Sequence, residues 1–319
     1  MHIQVSGLAS VSTSGLVLQI NSLSSLSLYN ILQDLFYVWF GLMILTVLCF
    51  ILFLCFFTAI LNVYFTVPHV RENARYMLFA NMLINDTMYI TAGLLLCLCS
   101  LFSVGIPMPI CYFLLASSAS TFRITPYNLA AMSLERYIAI CFPLRHITFC
   151  TAQRSYVVIA VIWVVGFMPN VVDIFVLSAS VDSVFFSLRV VCKQELAIVK
   201  PLQTFIRSLT FIASLAVVGL VICFTYIKVM LVARQIGSGS SSASKAGKTV
   251  MLHAFQLLLC MVSLTYSIME SSVRDYVQIV KLMNFLIFMC LPRFLSPLIY
   301  GIRDEVFSKC IRKMYCSKK

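Results

Sequence analysis

The sequence predicts an all-α membrane protein, in which a bundle of seven transmembrane helices is followed by a short amphipathic cytoplasmic helix. Of its 319 residues, 61% are apolar and only 11% are charged, whereas a soluble domain is usually nearer half apolar and a quarter charged. The apolar residues form long blocks with polar breaks between them, and roughly 20 helical residues cross a bilayer core. The chain length, divided among such spans and short loops, allows about seven spans and argues against a soluble enzyme.

The basic residues predict how the chain is oriented in the bilayer. The formal charge is +12, yet no Lys or Arg precedes Arg71. Basic residues then recur in the short stretches 71–75, 145–154, 234–248 and 303–319. Because short loops rich in Lys and Arg stay on the cytoplasmic side, we expect an extracellular N-terminus and a cytoplasmic C-terminus, which requires an odd number of spans. This distribution also argues against nucleic acid as a partner.

The polar breaks divide the chain into three predicted parts. Residues 1–34 form a Ser-rich extracellular tail without the basic start of a signal peptide. Residues 35–301 form the membrane domain, and residues 302–319 form the cytoplasmic amphipathic helix and tail, in which Cys310 and Cys316 are either palmitoylated or plain thiols. The predicted spans are 35–65, 75–101, 107–140, 152–177, 203–235, 246–271 and 277–301, and the amphipathic helix covers about 303–315.

Charged residues near the ends and the middle of the spans are candidates for function, because charges are costly in a bilayer. Arg136 follows Glu135 at the end of the third span, where we expect the acid to hold the base; the alternative is a solvated ion pair at an interfacial helix end. Asp86 lies about 16 Å inside the second span. Arg293 lies at a comparable depth, so it either pairs with Asp86 or reaches a water-filled cavity.

Arg123 is a further costly residue. It precedes Arg136 by 13 positions on the third span, which places it near the middle of the bilayer. An isolated charge there requires a partner or a cavity. The candidate partners are Asp173 on the fourth span, Glu270 near the end of the sixth, and an acidic ligand.

Three blocks of sequence carry a resemblance to a known family. Residues 132–146 read MSLERYIAICFPLRH, residues 248–257 read KTVMLHAFQL, and residues 291–304 read LPRFLSPLIYGIRD. From Arg75 to the C-terminus the chain resembles the rhodopsin-like G-protein-coupled receptors, and in particular the fish-type odorant receptors. It departs from the family in several places. The sixth span lacks both the Cys-Trp-x-Pro switch and the Phe-Tyr-Gly of mammalian odorant receptors, Val218 stands where many relatives have Pro, and Asn62 does not align with the family's Asn in the first span.

The resemblance implies roles for residues in the inner half of the bundle. Ser296-Pro297-Leu298-Ile299-Tyr300 is similar to the family motif Asn-Pro-x-x-Tyr, with Ser in place of Asn. Asp86, Arg293 and Ser296 would form a buried polar network. Many family members hold a sodium ion at this Asp, and we hypothesise that Arg293 takes its place. The implied activation switch consists of Glu135, Arg136, Tyr137, Tyr226, Pro297 and Tyr300.

The resemblance also implies an outer disulfide and a ligand pocket. Cys111 and Cys192 match the family's bridge, with Cys97 or Cys99 as competing partners. Serine stands at position 118, where aminergic receptors have Asp, which disfavours a monoamine ligand. No Cys or His spacing indicates a metal site, and no cofactor is expected. The implied pocket residues are Ser118, Phe122, Arg123, Thr210, Ser214, Leu264, Thr265, Ile268 and Leu286.

The function that the resemblance implies is that of an odorant receptor. A small ligand would bind in the outer half of the bundle and activate a heterotrimeric G protein of the stimulatory, olfactory type on the cytoplasmic side. The location would be the plasma membrane, for example that of olfactory cilia. One alternative is a rhodopsin-like receptor for a non-odour ligand. A polytopic transporter should show internal repeats or a charge-lined path, and a membrane enzyme should show a convergent catalytic set; neither pattern is found in the sequence.

Overall fold

The computed structural model describes residues 4–192 and 201–235, together with Met251, Phe255, Leu258, 285–291, Arg293 and Phe294. The chain divides into two compact units, Met1–Leu52 and Phe53–Lys319. The predicted linker at 237–244, the amphipathic helix and most of the sixth and seventh predicted spans lie outside the described residues. The helices are α1 (Gln4–Thr66), α2 (Pro68–Arg71), α3 (Ala74–Leu101), α4 (Met108–Cys141), α5 (Pro143–Phe149), α6 (Ala152–Ser180) and α7 (Pro201–Gln235), and the strands are β1 (Gly105–Pro107) and β2 (Arg189–Val191).

Helix α1 begins far upstream of the first predicted span. The span was expected at 35–65, but the helix starts at Gln4, so the predicted tail is helical from that residue onward. No proline occurs before Pro68, which ends the helix because proline cannot donate to the preceding turn. In the first unit, large apolar side chains such as Phe36, Tyr37 and Leu52 are exposed.

The described helices are those of a membrane protein. Four stretches are long and apolar enough to cross a bilayer among the residues described: Phe36–Thr66, Ala74–Ser100, Ala152–Ser180 and Gln203–Val232. Helix α4 has 34 residues and is also long enough, but it carries many polar side chains. These are buried, as Thr121, Thr125 and Asn128 show, because α4 packs against α3, α6 and α7 at once.

Helix α6 shows how this bundle reverses the pattern of a soluble protein. Its exposed face includes residues that recur at the spacing of one helical turn, namely Val157, Val161, Val164, Met168, Val171 and Phe175. Its buried face contains Ser155, Ile162, Gly166, Asn170, Asp173 and Leu177. Lipid tails are as apolar as these side chains, so helix association depends on close packing and on hydrogen bonds between helices.

The second unit has an apolar core between α3, α4 and α7 and a polar link to α6. Asn81 on α3 donates to Asn128 on α4 over 2.8 Å and accepts from the indole of Trp163 on α6, also over 2.8 Å. One side chain therefore ties three helices together. The core contains Val63, Phe79, Met82, Leu83, Leu129, Met132, Leu215, Val218 and Ile222.

A small antiparallel sheet lies beside the first turn of α4. Gly105 pairs with Val191, and Pro107 pairs with Arg189. The amide of Met108 continues the pairing by donating to the carbonyl of Leu188 over 3.0 Å. The segment after α6 is therefore held against the start of α4, and this is the region that we call the disulfide end.

Candidate functional site

Helix α4 carries a cross-link at the disulfide end. Cys111, in its first turn, forms a disulfide with Cys192, directly after β2, with the two Cα atoms 5.5 Å apart. Both cysteines are buried. Cys97 and Cys99, the competing partners, are free thiols. The disulfide and the β1–β2 pairing fix the same short segment at two adjacent points.

A charged group lies at the other end of α4, which we call the Arg136 end. Glu135 is buried and accepts a hydrogen bond from His146 Nε2 over 3.1 Å. Its second oxygen lies 3.6 Å from Arg136 Nε. Arg136 Nη2 is buried and has no hydrogen-bond partner among the described residues. One carboxylate therefore holds two basic side chains, and the arginine is only partly satisfied.

His146 was not predicted to take part in this group. It lies on the short helix α5, which starts at Pro143 directly after α4 and turns the chain back toward Glu135. Its position in the loop after the third span was the only available signal in the sequence.

Nearby, burial and the negative charge of Glu135 together raise the pKa of the Cys150 thiol, so this cysteine stays protonated at neutral pH.

The other predicted switch residues are placed as follows. The ring of Tyr137 packs edge-on against Phe142 and Phe224, with centroids 5.7 and 5.5 Å away. Tyr226 on α7 is half-buried against the core. Ser296, Pro297 and Tyr300 lie outside the described residues.

A buried ion pair joins α3 to the segment that contains Arg293. Arg293 Nε lies 3.2 Å from Asp86 Oδ1, and the two side chains are only 1% and 0% exposed. Arg293 Nη2 donates to Thr125 Oγ1 over 3.2 Å, and Asn85 donates to the same hydroxyl over 3.0 Å. The guanidinium carbon lies 3.9 Å from the centre of the Tyr89 ring, which provides a cation–π contact.

These residues do not fit the sodium site that the family implies. A cation at Asp86 would need the carboxylate that Arg293 already contacts, and it would meet a like charge at the distance of an ion pair. At this site Asp86 Oδ2 and Asn85 Oδ1 are buried oxygens without a hydrogen-bond partner among the described residues. No group of three or more potential metal ligands occurs in the described part of the chain.

The residue that contacts Arg123 is not Asp173, which was one of its three candidate partners. Arg123 Nη1 donates to the neutral side chain of Asn170 over 3.4 Å. Asp173 instead pairs with Arg207 Nε over 3.2 Å and accepts a hydrogen bond from Gln203. The reason is positional, because Gln203 and Arg207 lie one turn apart on α7 and face the same carboxylate together. Glu270, the other protein candidate, lies outside the described residues.

Asn170 is a second residue that the sequence reasoning missed. Its amide donates to the carbonyl of Ala116 over 3.0 Å and to the hydroxyl of Ser120. The backbone carbonyl of Asn170 accepts from the hydroxyl of Tyr112 over 2.9 Å. The signal in the sequence was a buried-face pattern on α6 in which Gly166, Asn170 and Asp173 follow at helical spacing.

The predicted pocket residues do not share one environment. Phe122 packs against Phe211 and Tyr89, with centroids 5.2 and 6.1 Å away. Thr210 is exposed, and its hydroxyl bonds within its own helix. Ser214 donates to the carbonyl of Phe211. Ser118 and Leu286 are half-buried, whereas Leu264, Thr265 and Ile268 lie outside the described residues.

The fold and these sites define a class that comparison with known proteins identifies. The model for the 7 transmembrane receptor (rhodopsin family) matches residues 57–300. The chain therefore belongs to the rhodopsin family of seven-transmembrane receptors, as the three sequence blocks predicted. Membership implies coupling to a G protein, a small-molecule ligand and a multi-pass location in the plasma membrane.

The individual relatives include odorant and olfactory receptors. Odorant receptor 131-2 of Danio rerio is 30% identical over 253 residues, which cover 76% of each chain. Olfactory receptor 6K3 of Homo sapiens is 26% identical over 200 residues, which cover 60% of this chain and 59% of that receptor. Adenosine receptor A2b of Homo sapiens is 40% identical over 57 residues, or 18% of this chain and 16% of that receptor. The family and these relatives are receptors rather than enzymes.

Proposed function

We propose that this chain is an odorant receptor with seven transmembrane helices. Its residues 1–34 lie outside the cell, residues 35–301 form the bundle, and residues 302–319 form a cytoplasmic amphipathic helix and tail. The observation that carries the proposal is the organisation of α4. One end of this helix is cross-linked by Cys111 and Cys192, and the other end holds a partly satisfied Arg136 beside Glu135. The disulfide end suits a ligand site and the Arg136 end suits a G-protein site, and both lie on one helix.

The mechanism follows from what each end can do. A small ligand binds in the half of the bundle next to the disulfide, where the segment at β2 covers the start of α4. Binding shifts a pre-existing equilibrium by the difference in the ligand's affinity for the two states. In the active state Glu135 releases Arg136, which then contacts the G protein. The partners are a heterotrimeric G protein of the stimulatory, olfactory type and a small odorant, in the plasma membrane of olfactory cilia.

Further residues are assigned by family resemblance. Pro297 permits a kink, and Tyr226 and Tyr300 change packing positions together with Tyr137 when the cytoplasmic face opens. Asp86, Arg293 and Ser296 form the buried polar network between the two ends. The ligand pocket is proposed to contain Ser118, Phe122, Arg123, Thr210, Ser214, Leu264, Thr265, Ile268 and Leu286.

The proposal is tested by changing the Arg136 end in cells that carry a cyclic-AMP reporter. Glu135→Gln removes the negative charge that holds Arg136 and His146, so basal signalling should rise several-fold. Arg136→Ala should abolish both basal and ligand-dependent signals at equal surface expression. Glu72→Gln is the matched control, because Glu72 is an exposed acid in the short loop before α3. Unchanged basal signalling in Glu135→Gln and a normal response in Arg136→Ala would contradict the proposal.

The alternative is a receptor for a non-odour ligand. The similarity of a 57-residue segment to adenosine receptor A2b favours this alternative. Expression confined to sensory epithelium supports the odorant receptor, whereas broad expression supports the alternative. Epitope tags at the two termini test the orientation in the same cells. An N-terminal tag accessible without permeabilisation and a C-terminal tag accessible only after it are expected.

A further inference from the structure

A cluster of ionisable side chains lies between α4, α6 and α7, in the half of the bundle next to the disulfide. Its members are Arg123 on α4, Asp173 on α6 and Arg207 on α7, and they lie within electrostatic range of one another. The hydroxyl of Tyr112, next to Cys111, donates to the backbone carbonyl of Asn170, which lies one turn before Asp173. The cluster therefore lies near the disulfide end of α4. Two positive charges and one negative charge leave a net charge of +1 among the described residues.

Asp173, the acid of this cluster, has its partners on α7, although its Oδ2 atom makes an ion pair and no hydrogen bond among the described residues. Gln203 donates to one oxygen of Asp173, and Arg207 Nε lies 3.2 Å from the other. Asp173 is only 6% exposed. Arg207 therefore has its counter-ion, and the unbalanced charge belongs to Arg123.

Arg123 is oriented by the protein but not satisfied by it. A guanidinium has five N–H donors, and among the described residues Arg123 uses them only for one long bond of 3.4 Å to Asn170. The side chain of Asn170 is held by hydrogen bonds to Ala116 and Ser120, so the residue that contacts Arg123 is itself fixed in position. The Arg123 side chain is half-buried, whereas that of Arg293 is fully buried.

An uncompensated charge at this depth is expensive, and one added negative charge would neutralise the cluster. A guanidinium fork matches the two oxygens of a carboxylate. We propose that the ligand is a small organic monocarboxylate whose anionic group binds Arg123, with Arg207 adding a second positive charge. This inference rests on the proposed receptor function and names the chemical class of its ligand.

The test measures ligand binding directly on the purified full-length receptor. The apparent unfolding temperature is recorded against increasing concentrations of straight-chain carboxylates from acetate to decanoate and of their methyl esters. At least one carboxylate should stabilise the receptor saturably, at a concentration at least about tenfold lower than its ester. In Arg123→Gln this concentration should rise at least about tenfold, since a charged hydrogen bond is lost. Arg123→Lys, which keeps the charge but not the fork, should lie between.

Arg145→Gln is the matched control, because it removes an exposed arginine on α5, at the opposite end of α4 from the disulfide; it should behave as the wild type does. If no carboxylate in the series stabilises the wild type saturably, or if Arg123→Gln and Arg123→Lys keep the full preference for acid over ester, the inference is overturned. Its failure is distinct from failure of the receptor function, which is read separately from basal signalling of Glu135→Gln.

Discussion

Arg293 and Arg123 are the same residue type in two opposite environments of one bundle. Arg293 is 1% exposed, lies 3.2 Å from Asp86, donates to Thr125 and contacts the ring of Tyr89. Arg123 has no carboxylate partner among the described residues and donates one long bond to an amide. The comparison teaches that a charged side chain within a membrane bundle can stabilise the fold when it has a carboxylate partner. A charged side chain without such a partner is a candidate for ligand binding.

The same comparison separates two kinds of acid. Asp86 depends on Arg293, and removal of either partner leaves an uncompensated buried charge. Asp173 is held by Arg207 and by Gln203, so it keeps a cationic partner when Arg123 is changed. Substitution of Arg293 therefore tests its role in stability, and substitution of Arg123 tests its role in ligand binding.

The largest effect is expected at the buried pair. Asp86→Asn and Arg293→Gln should each lower the free energy of unfolding by about 3–5 kcal/mol, because each isolates a buried charge. The apparent unfolding temperature of the purified receptor and the surface-expressed fraction measure this loss. The exchange Asp86→Arg with Arg293→Asp restores opposite charges, so it should recover part of the loss. A double variant no better than either single variant would mean that the pairing is wrong.

How much of this was predictable from the sequence differs between the two arginines. The depth of Asp86 and Arg293 suggested their pairing, because helical rise converts sequence position directly into depth. Helical rise likewise predicted a position for Arg123 near the middle of its span, but it does not indicate which neighbouring helix faces Arg123. Its partner Asn170 and the pairing of Asp173 with Arg207 depend on the rotation of α6 and α7, which only tertiary packing determines. His146 was missed for the same reason, because α5 turns back toward Glu135 through packing.

The support of Arg123 is sensitive to the contact between α4 and α6. A Cβ atom added at Gly166 would lie 2.3 Å from Cγ1 of Ile124, the residue after Arg123. Gly166→Ala should therefore force the helices apart, destabilise the receptor by about 1–3 kcal/mol and weaken any response that requires Arg123. Unfolding temperature and ligand titration measure the two effects.

Two further variants control this experiment. Ile124→Ala in the Gly166→Ala background makes room for the added methyl group and should restore part of the stability. Gly41→Ala adds the same methyl group in α1, where nothing lies within 4 Å, and should have no such effect. Equal losses in Gly41→Ala and Gly166→Ala would show that helix contact is not the cause.

A smaller effect on stability is expected from Arg123→Gln. The substitution leaves no acid unpaired, and Asn170 loses one bond of 3.4 Å. The free energy of unfolding should stay within about 1 kcal/mol of that of the wild type, as measured by unfolding temperature without ligand. Arg293→Gln is the internal comparison, since it makes the same chemical change at the satisfied site. A loss as large as that of Arg293→Gln would place Arg123 in a structural role.

The smallest effect is expected from sodium itself. Arg293 occupies the carboxylate that a cation would need, so replacing sodium chloride with N-methylglucamine chloride at equal ionic strength should leave the unfolding temperature and the ligand response unchanged. Arg293→Asn removes the guanidinium and frees the carboxylate of Asp86, so this variant should become stabilised by sodium. A sodium effect in the wild type that Asp86→Asn abolishes would contradict the assignment. Sodium dependence acquired only on removal of Arg293 would show that the arginine serves as the internal cation of the bundle.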